Sequence, residues 1–423
     1  MSFPAFVLND PTGLSPAALR EAVARAIPSP CPGRVLLLPP DITRLNSGAG
    51  VLTALFYEML TAQGAQVGIM PALGTHAPMT IEECIEFFGA EIPPEVYVVH
   101  NWRTGVRRIG TVPADFVAGV SEGLMNDAID VELSTVILDG NWDWIVSLGQ
   151  VVPHEVVGLA NYTKNLVVGC GGSAFINASH MLGAFFGLER IMGRADTPVR
   201  AVFDYAQEHF LSNLPLTYVL TVTQTQGERT DIVGLSVGRN RSGFEAMAAL
   251  AQQVNITWVD RPINTCVVYL DPREFRSTWL GNKAVYRTRM AMAPGGRLIV
   301  LAPGVAQFGE DARNDADIRA YGYLGRAQVL EWVKTEKVLQ DNLSAAAHLI
   351  HGSSDGKFTV TYATKHLAED EVRGVGYDWM NCDAAMAKYD PIALSPGWNT
   401  VDGEEIYFIP NPALGLWAPE GAF

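Results

Sequence analysis

Between Pro153 and His180 the chain reads PHEVVGLANYTKNLVVGCGGSAFINASH, which places His154, Lys164 and His180 ten and then sixteen residues apart. Lys164 lies among mostly apolar and small residues, NYTKNLVVGCGG. Such a setting can desolvate an amine, lower its pKa and make it a nucleophile. His154 and His180 supply imidazoles that can act as bases or bind a borderline metal. Gly169, Gly171 and Gly172 would let the backbone approach a bulky ligand closely. The plain alternative is a buried turn with a snorkelling lysine and two core histidines.

Two other short stretches have the right chemistry. Asp41-Ile42-Thr43-Arg44 sets a carboxylate beside a guanidinium that can hold a carboxylate or phosphate bidentately. Its structural alternative is an Asp–Arg pair that stabilises a loop. Gly74-Thr75-His76 offers one more imidazole, which read alone is equally a structural histidine. The GCGG run lacks the GxGxxG spacing and the following acid of a dinucleotide turn. Trp279 to Lys283, WLGNK, puts a cation near an aromatic, a common arrangement on helix surfaces. His100, His209, His348, His351 and His366 show no metal-ligand spacing beyond the three-residue interval between His348 and His351.

These residues need elements to position them. Arg34 to Pro40, RVLLLPP, reads as a buried strand that ends where Asp41 begins. Residues 51–63 have helical apolar spacing, and 65–70 form the next strand, running straight into the loop that holds His76. Thr80 with Glu83 predicts a capping box for the helix TIEECIEFF. This alternation predicts an α/β fold with a largely parallel sheet, in which ligand groups sit on loops at the carboxyl ends of strands. Further strands are expected at 95–99, 134–138 and 143–150, helices at 197–211 and 243–253, and a β pair near 216–223 and 231–237. A strand at TCVVYLD, a helical segment from Arg273 to Met292 and a strand at RLIVLAPG follow. The expected domains are 1–258, carrying the cofactor-type motifs, and 259–423, contributing to the substrate site, with the extreme C-terminus free to pack back on the first.

With 423 residues, two domains are the natural division. Apolar content of 48% and charged content of 18% describe a packed globular chain. A net charge of -15 argues against nucleic acid or an anionic membrane as main partner. Any anionic substrate must then be captured by local cations. The five cysteines are dispersed and form no CxxC pair, so neither a disulfide framework nor a zinc knuckle is indicated. There is no signal-peptide pattern and no apolar run of about twenty residues. The expectation is a cytoplasmic protein.

Taken together, DITR, GTH, His154, Lys164 and His180 resemble the lactate racemase family, the LarA-like nickel-pincer nucleotide enzymes. The resemblance spans most of the chain and is strongest over residues 41–180. It implies two α/β domains with the active site in the cleft between them. It also implies an isomerase, specifically a racemase or epimerase of 2-hydroxy acids that works by hydride abstraction and return. The implied cofactor is the nickel-pincer nucleotide, pyridinium-3,5-bisthiocarboxylic acid mononucleotide, held covalently on Lys164 with His180 as a nickel ligand. Cofactor-synthesis proteins would be partners in maturation. His76 and His154 match the two acid–base histidines. Asp41, Thr43, Arg44, Gly171 and Gly172 match the cofactor pocket, and Arg44, Trp279, Leu280 and Lys283 the substrate site.

The implied chemistry explains the residue set. Removing the α-proton of a hydroxy carboxylate is very unfavourable, because the carboxylate stabilises a carbanion poorly. Oxidation to a planar keto acid followed by reduction on the other face inverts the centre without a carbanion. Each enantiomer presents its hydroxyl from a different side, so one base per side is needed. The chain departs from the family at two places. Ala160-Asn161-Tyr162-Thr163 replaces the glycine-rich SGG-type run before the lysine, which alters the cofactor wall. Leu280 stands where the lactate enzymes carry glutamine, with Trp279 beside it. These apolar residues suggest a 2-hydroxy acid larger or less polar than lactate. Two other readings stay open on the residues alone: a His-ligated metal-dependent hydrolase or lyase, and a non-catalytic binding protein on the same fold.

Overall fold

In a computed structural model, which describes residues 3–226 and 229–423, the chain divides into two compact units. The first comprises Met1–Leu182 and Met192–Asn255; the second comprises Gly183–Ile191 and Ile256–Phe423.

The first unit is built on a six-stranded sheet ordered Phe6–Asn9, Arg229–Gly238, Leu216–Gln226, Trp144–Gln150, Arg34–Leu38 and Gln66–Ile69. The last four strands are mutually parallel, and Arg229–Gly238 runs antiparallel to both of its neighbours. Arg34–Leu38 is buried from Val35 onward, as expected of a strand covered on both faces. Side chains alternate between those faces. Val219 joins a core with Leu52, Phe56 and Phe88 from the helices Ala49–Ala62 and Ile81–Phe88. Its neighbour Tyr218 points the other way, against Tyr162 at a centroid distance of 4.4 Å. The Thr80–Glu83 capping box forms as expected.

The chain runs from Arg34–Leu38 to Gln66–Ile69 on one side, then returns to place Trp144–Gln150 on the other. The direction of the sheet therefore reverses between Arg34–Leu38 and Trp144–Gln150. In open α/β sheets a ligand crevice lies at such a switch point, outside the carboxyl ends of the strands. Asp41 follows the first of these strands and His154 the second.

Three sequence expectations need correction. Of residues 134–138 only Ser134 is in a strand, as the end of Ile129–Ser134: Thr135–Asp139 is a short helix whose first turn is capped by the Ser134 hydroxyl, which accepts from the Val136 N–H. Capping outweighs the β-propensity of Val136 and Ile137. Residues 95–99 contribute only a single parallel bridge, Tyr97 beside Ile69, after a 3₁₀ turn at Pro94–Val96. The prolines before it cannot donate to a ladder. The segment Arg273–Met292 is not one helix but two, Thr278–Gly281 and Lys283–Thr288, separated by Asn282.

The second unit carries its own six-stranded sheet, ordered Asp378–Asn381, Phe358–Thr364, Met292–Ala302, Ile263–Tyr269, Glu404–Ile409 and Gly397–Val401. All neighbours are parallel except the last pair. Val267, Ile299, Leu301 and Phe408 pack against Ala385 of the helix Cys382–Lys388. The C-terminal strand Leu416–Pro419 pairs in parallel with Ile256–Val259, inside this same unit. Among the described residues no helix is long and apolar enough to cross a membrane.

His348 is buried in this unit, its ring stacked on Trp279 at 4.1 Å and its Nε2 within 2.9 Å of the Tyr323 hydroxyl. Burial, reinforced by His351, pushes its pKa from 6.5 down to about 3. The unfolded chain takes up this proton near 6.5 and the native one does not. The stability that a neutral His348 confers is thus complete above pH 6.5 and is lost progressively as pH falls toward about 3. The full loss is on the order of 5 kcal/mol. In urea titrations across that range, His348→Gln should show a flatter dependence of unfolding free energy on pH than the wild type. An equal slope in both proteins would contradict this.

Candidate active site

Asp41, at the end of Arg34–Leu38, is 4% exposed and accepts from the backbone N–H (3.2 Å) and the hydroxyl (2.5 Å) of Thr43. Its other carboxylate oxygen lies 2.5 Å from Nδ1 of His76, on the loop after Gln66–Ile69. Burial alone would raise the Asp41 pKa. The His76 bond and charge, the Thr43 hydroxyl and the nearby Arg44 charge outweigh it, and the carboxyl is held below its ordinary range. An ionised carboxylate only accepts, so His76 donates its Nδ1–H and keeps the Nε2 lone pair. His76 itself is exposed, with 57% of its side chain accessible. The result is an oriented base on a surface-facing ring, braced from behind by a buried acid. The Asp–Arg pair weighed as a loop brace does not form as a hydrogen bond: Asp41's partners are His76 and Thr43.

His154 is 6% exposed and lies in a two-residue strand that pairs with Gly158–Leu159. Its Nδ1 accepts from the Val156 N–H at 3.1 Å, with Glu155 Oε2 3.9 Å away. Burial depresses its pKa well below 6.5; Glu155 opposes this, while Lys164, Arg44 and His180 add to it. His154 is therefore neutral at pH 7. Because Nδ1 accepts, the proton sits on Nε2. The two histidines thus have opposite tautomers.

Lys164 precedes a π-helical turn, Asn165–Gly169, a form that recurs at functional sites. Asn165 fastens this turn to the switch point: its amide donates at 2.9 Å to the Leu38 carbonyl and at 2.9 Å to the Ser147 hydroxyl. The Lys164 ammonium is crowded by protein although the residue keeps some accessible surface. Desolvation first and Arg44 second lower its pKa to about 8, against an opposing pull from Glu155. That is the condition of a nucleophilic amine. His180, on the helix Ser173–Phe186, donates Nδ1–H to the Ile176 carbonyl at 2.6 Å. Its Nε2 lone pair is thereby oriented outward, as the backbone-bonded histidines of metal sites are. Burial keeps His180 neutral by lowering its pKa.

The structure thus gathers Asp41, Arg44, His76, His154, Lys164 and His180 in one unit. Most of them are near enough to shift one another's ionisation. Thr43 serves Asp41 directly. The glycines differ from expectation in their reason. A Cβ on Gly171 would stand 2.0 Å from the Val167 carbonyl oxygen, and one on Gly172 would stand 2.2 Å from the Glu132 carboxylate. Their space is taken by the chain itself. Trp279, Leu280 and Lys283 belong to the second unit, at the junction of its two short helices. Lys283 Nζ is 5.7 Å from the Phe275 ring centroid.

Sequence reasoning missed Glu155, Asn165 and Arg200. Glu155 is adjacent to His154 and could have been read as its electrostatic partner. Arg200 falls on the buried face of the helix Pro198–Phe210 with Val199, Phe203 and Gln207, a charged residue in an apolar stripe. Nothing local marks Asn165. Among the described residues no three His, Cys, Asp or Glu side chains are grouped so as to hold a metal by themselves.

Residues 31–190 match the family model of the lactate racemase N-terminal domain. No curated protein matches the chain. A crystal structure of a Thermotoga maritima protein superposes with a TM-score of 0.81 at 22% identity, covering 98% of this chain and 100% of that one. The lactate racemase apoprotein from Thermoanaerobacterium thermosaccharolyticum gives 0.72 at 16% identity, covering 98% and 95%. At these identities the likeness is one of fold.

Proposed function

We propose, from the match of residues 31–190 to the lactate racemase N-terminal domain, that the chain is a racemase or epimerase of 2-hydroxy acids that uses a nickel-pincer nucleotide. The observation that supports this most is the joint arrangement of a lowered-pKa lysine, a backbone-oriented histidine and an Asp-braced histidine base at one switch point.

The residues fit the group. Lys164, with a pKa of about 8, suits covalent attachment, and His180 offers one oriented Nε2. A metal that arrives in its own organic chelate needs only such a single imidazole. When bound, the group supplies a hydride acceptor and donor. Everything else falls to side chains. His76 takes the substrate's hydroxyl proton at Nε2, and Asp41 stabilises the imidazolium that forms, as in other acid-braced histidine bases. His154 presents Nε2–H to the substrate oxygen from its own side. Arg44, which makes no side-chain hydrogen bond with the described residues, is the candidate to hold the carboxylate. Lys283 is its proposed second cation, and Trp279 with Leu280 the apolar contact that favours a substrate larger than lactate.

The test is intact mass and nickel content of protein made alongside the cofactor-synthesis proteins. About one nickel per chain and an adduct on Lys164 are expected. Assays over lactate, malate, 2-hydroxybutyrate, phenyllactate and gluconate should then favour a side chain bulkier than methyl. An unmodified Lys164 in folded protein would sink the cofactor reading, and a sharp lactate preference would sink the substrate one.

A further inference from the structure

The turn that delivers Lys164 is strained. Asn161 and Tyr162 are consecutive and both left-handed, with φ of 63° and 58°. For residues bearing a Cβ this conformation is unfavourable, and it persists only where surroundings over-determine it. The over-determination has one centre. Arg200 is fully buried, and its guanidinium spans the turn: Nη2 donates to the carbonyls of Leu159 (2.7 Å) and Asn161 (3.2 Å), and Nη1 to the Thr163 hydroxyl (2.7 Å). Its plane sits 4.4 Å from the Phe244 ring centroid, and the same ring stacks on Tyr162 at 5.4 Å. Thr163 passes its own hydrogen to Asp204, which is paired with Arg241. On the far side, the Asn161 amide occupies the space beside Gly149, where a Cβ would come within 2.0 Å of its nitrogen.

A buried cation is costly to desolvate, and the Arg200 Nε finds no hydrogen-bond partner among the described residues. It also stands near enough to Lys164 to disfavour that ammonium. A core arginine that repels the nearby lysine is explained by what its fork holds, namely three acceptors across residues 159–163.

We propose that Arg200 is a positioning residue for Lys164, fixing the left-handed turn at Asn161–Tyr162 and so aiming the amine. The inference takes its functional meaning from Lys164 as the point of attachment, but its geometry can be tested without that reading. The readout is acetylation of Lys164 in the full-length protein by acetic anhydride, followed by peptide mass mapping as a function of pH. Arg200→Met should slow Lys164 labelling and move its midpoint upward. A shift of one pH unit corresponds to about a fivefold lower rate at pH 8. Adding Asn161→Gly should restore much of the rate, since glycine adopts the left-handed turn without a brace. A purely electrostatic role for Arg200 would not respond to that glycine.

Should Arg200→Met not fold, Thr163→Val removes one acceptor of the fork and should give a smaller shift in the same direction. Unchanged Lys164 labelling in whichever variant folds, or failure of Asn161→Gly to restore it, overturns the proposal. Mass analysis of co-expressed wild-type protein separates the two readings. Altered labelling with no adduct in wild type sinks attachment and leaves the positioning role standing. An adduct with unaltered labelling does the reverse.

Discussion

Asparagine at position 76 is expected to lower kcat by about 10² to 10⁴, the range for loss of a general base, while adduct and nickel content stay at wild-type levels. The reason is the pairing of His76 Nδ1 with Asp41, which leaves Nε2 as the lone pair ready to accept a proton. His154 starts from the other tautomer, with Nδ1 taken by the Val156 N–H. To act as a base it must first give up that bond, and burial already opposes its protonation. His154→Gln retains an N–H donor and should therefore cost less than His76→Asn. The two substrate enantiomers should also be affected unequally. Initial rates from each pure enantiomer, with both variants, decide the matter. A loss at His76 below tenfold, or identical losses at the two positions in both directions, would overturn the assignment.

Lys164→Ala should remove both adduct and activity, leaving the variant at the background of the assay. In the wild type, a pKa of about 8 instead of 10.5 means that at pH 7 about 300 times more of the amine is neutral than in an ordinary lysine. The sign follows from the nucleophile being the deprotonated form: acylation of Lys164 should rise with pH and level off above about 8, while exposed lysines continue to climb. Time-resolved peptide mapping gives both curves in one experiment. A Lys164 curve that tracks the surface lysines would show that the pocket does not depress its pKa. Arg44→Met, which removes the largest charge contribution to the shift, should move the curve upward.

Much of the framework was legible in the chain. A short apolar run that stops at Asp41, a helix with a capping box at Thr80, and a lysine set among small and apolar residues are all local signals. They report correctly because burial and capping act over one strand or one helical turn. The same locality explains the errors. Residues 134–138 look like a strand by composition, yet the strand stops at Ser134, whose hydroxyl reaches one backbone N–H and starts a helix at Thr135. The glycines of GCGG signal close approach, but the approaching group turned out to be Val167 and Glu132.

Which residue types are present, and in what order along the strands, was determined by the sequence itself. That includes the acid, the three imidazoles, the lysine and the arginine. The tertiary structure decided how they are coupled. Asp41 meets His76 across 35 residues because two parallel neighbours end side by side. The opposite tautomers of His76 and His154 depend on one carboxylate and one backbone N–H that no spacing rule connects. Asn161 and Tyr162 accept a glycine-like backbone because Arg200, about forty residues on, holds the Leu159 and Asn161 carbonyls and the Thr163 hydroxyl from the core. Hydrogen bonds between distant segments, and the charge shifts that follow from shared burial, exist only once the sheet has brought those segments together.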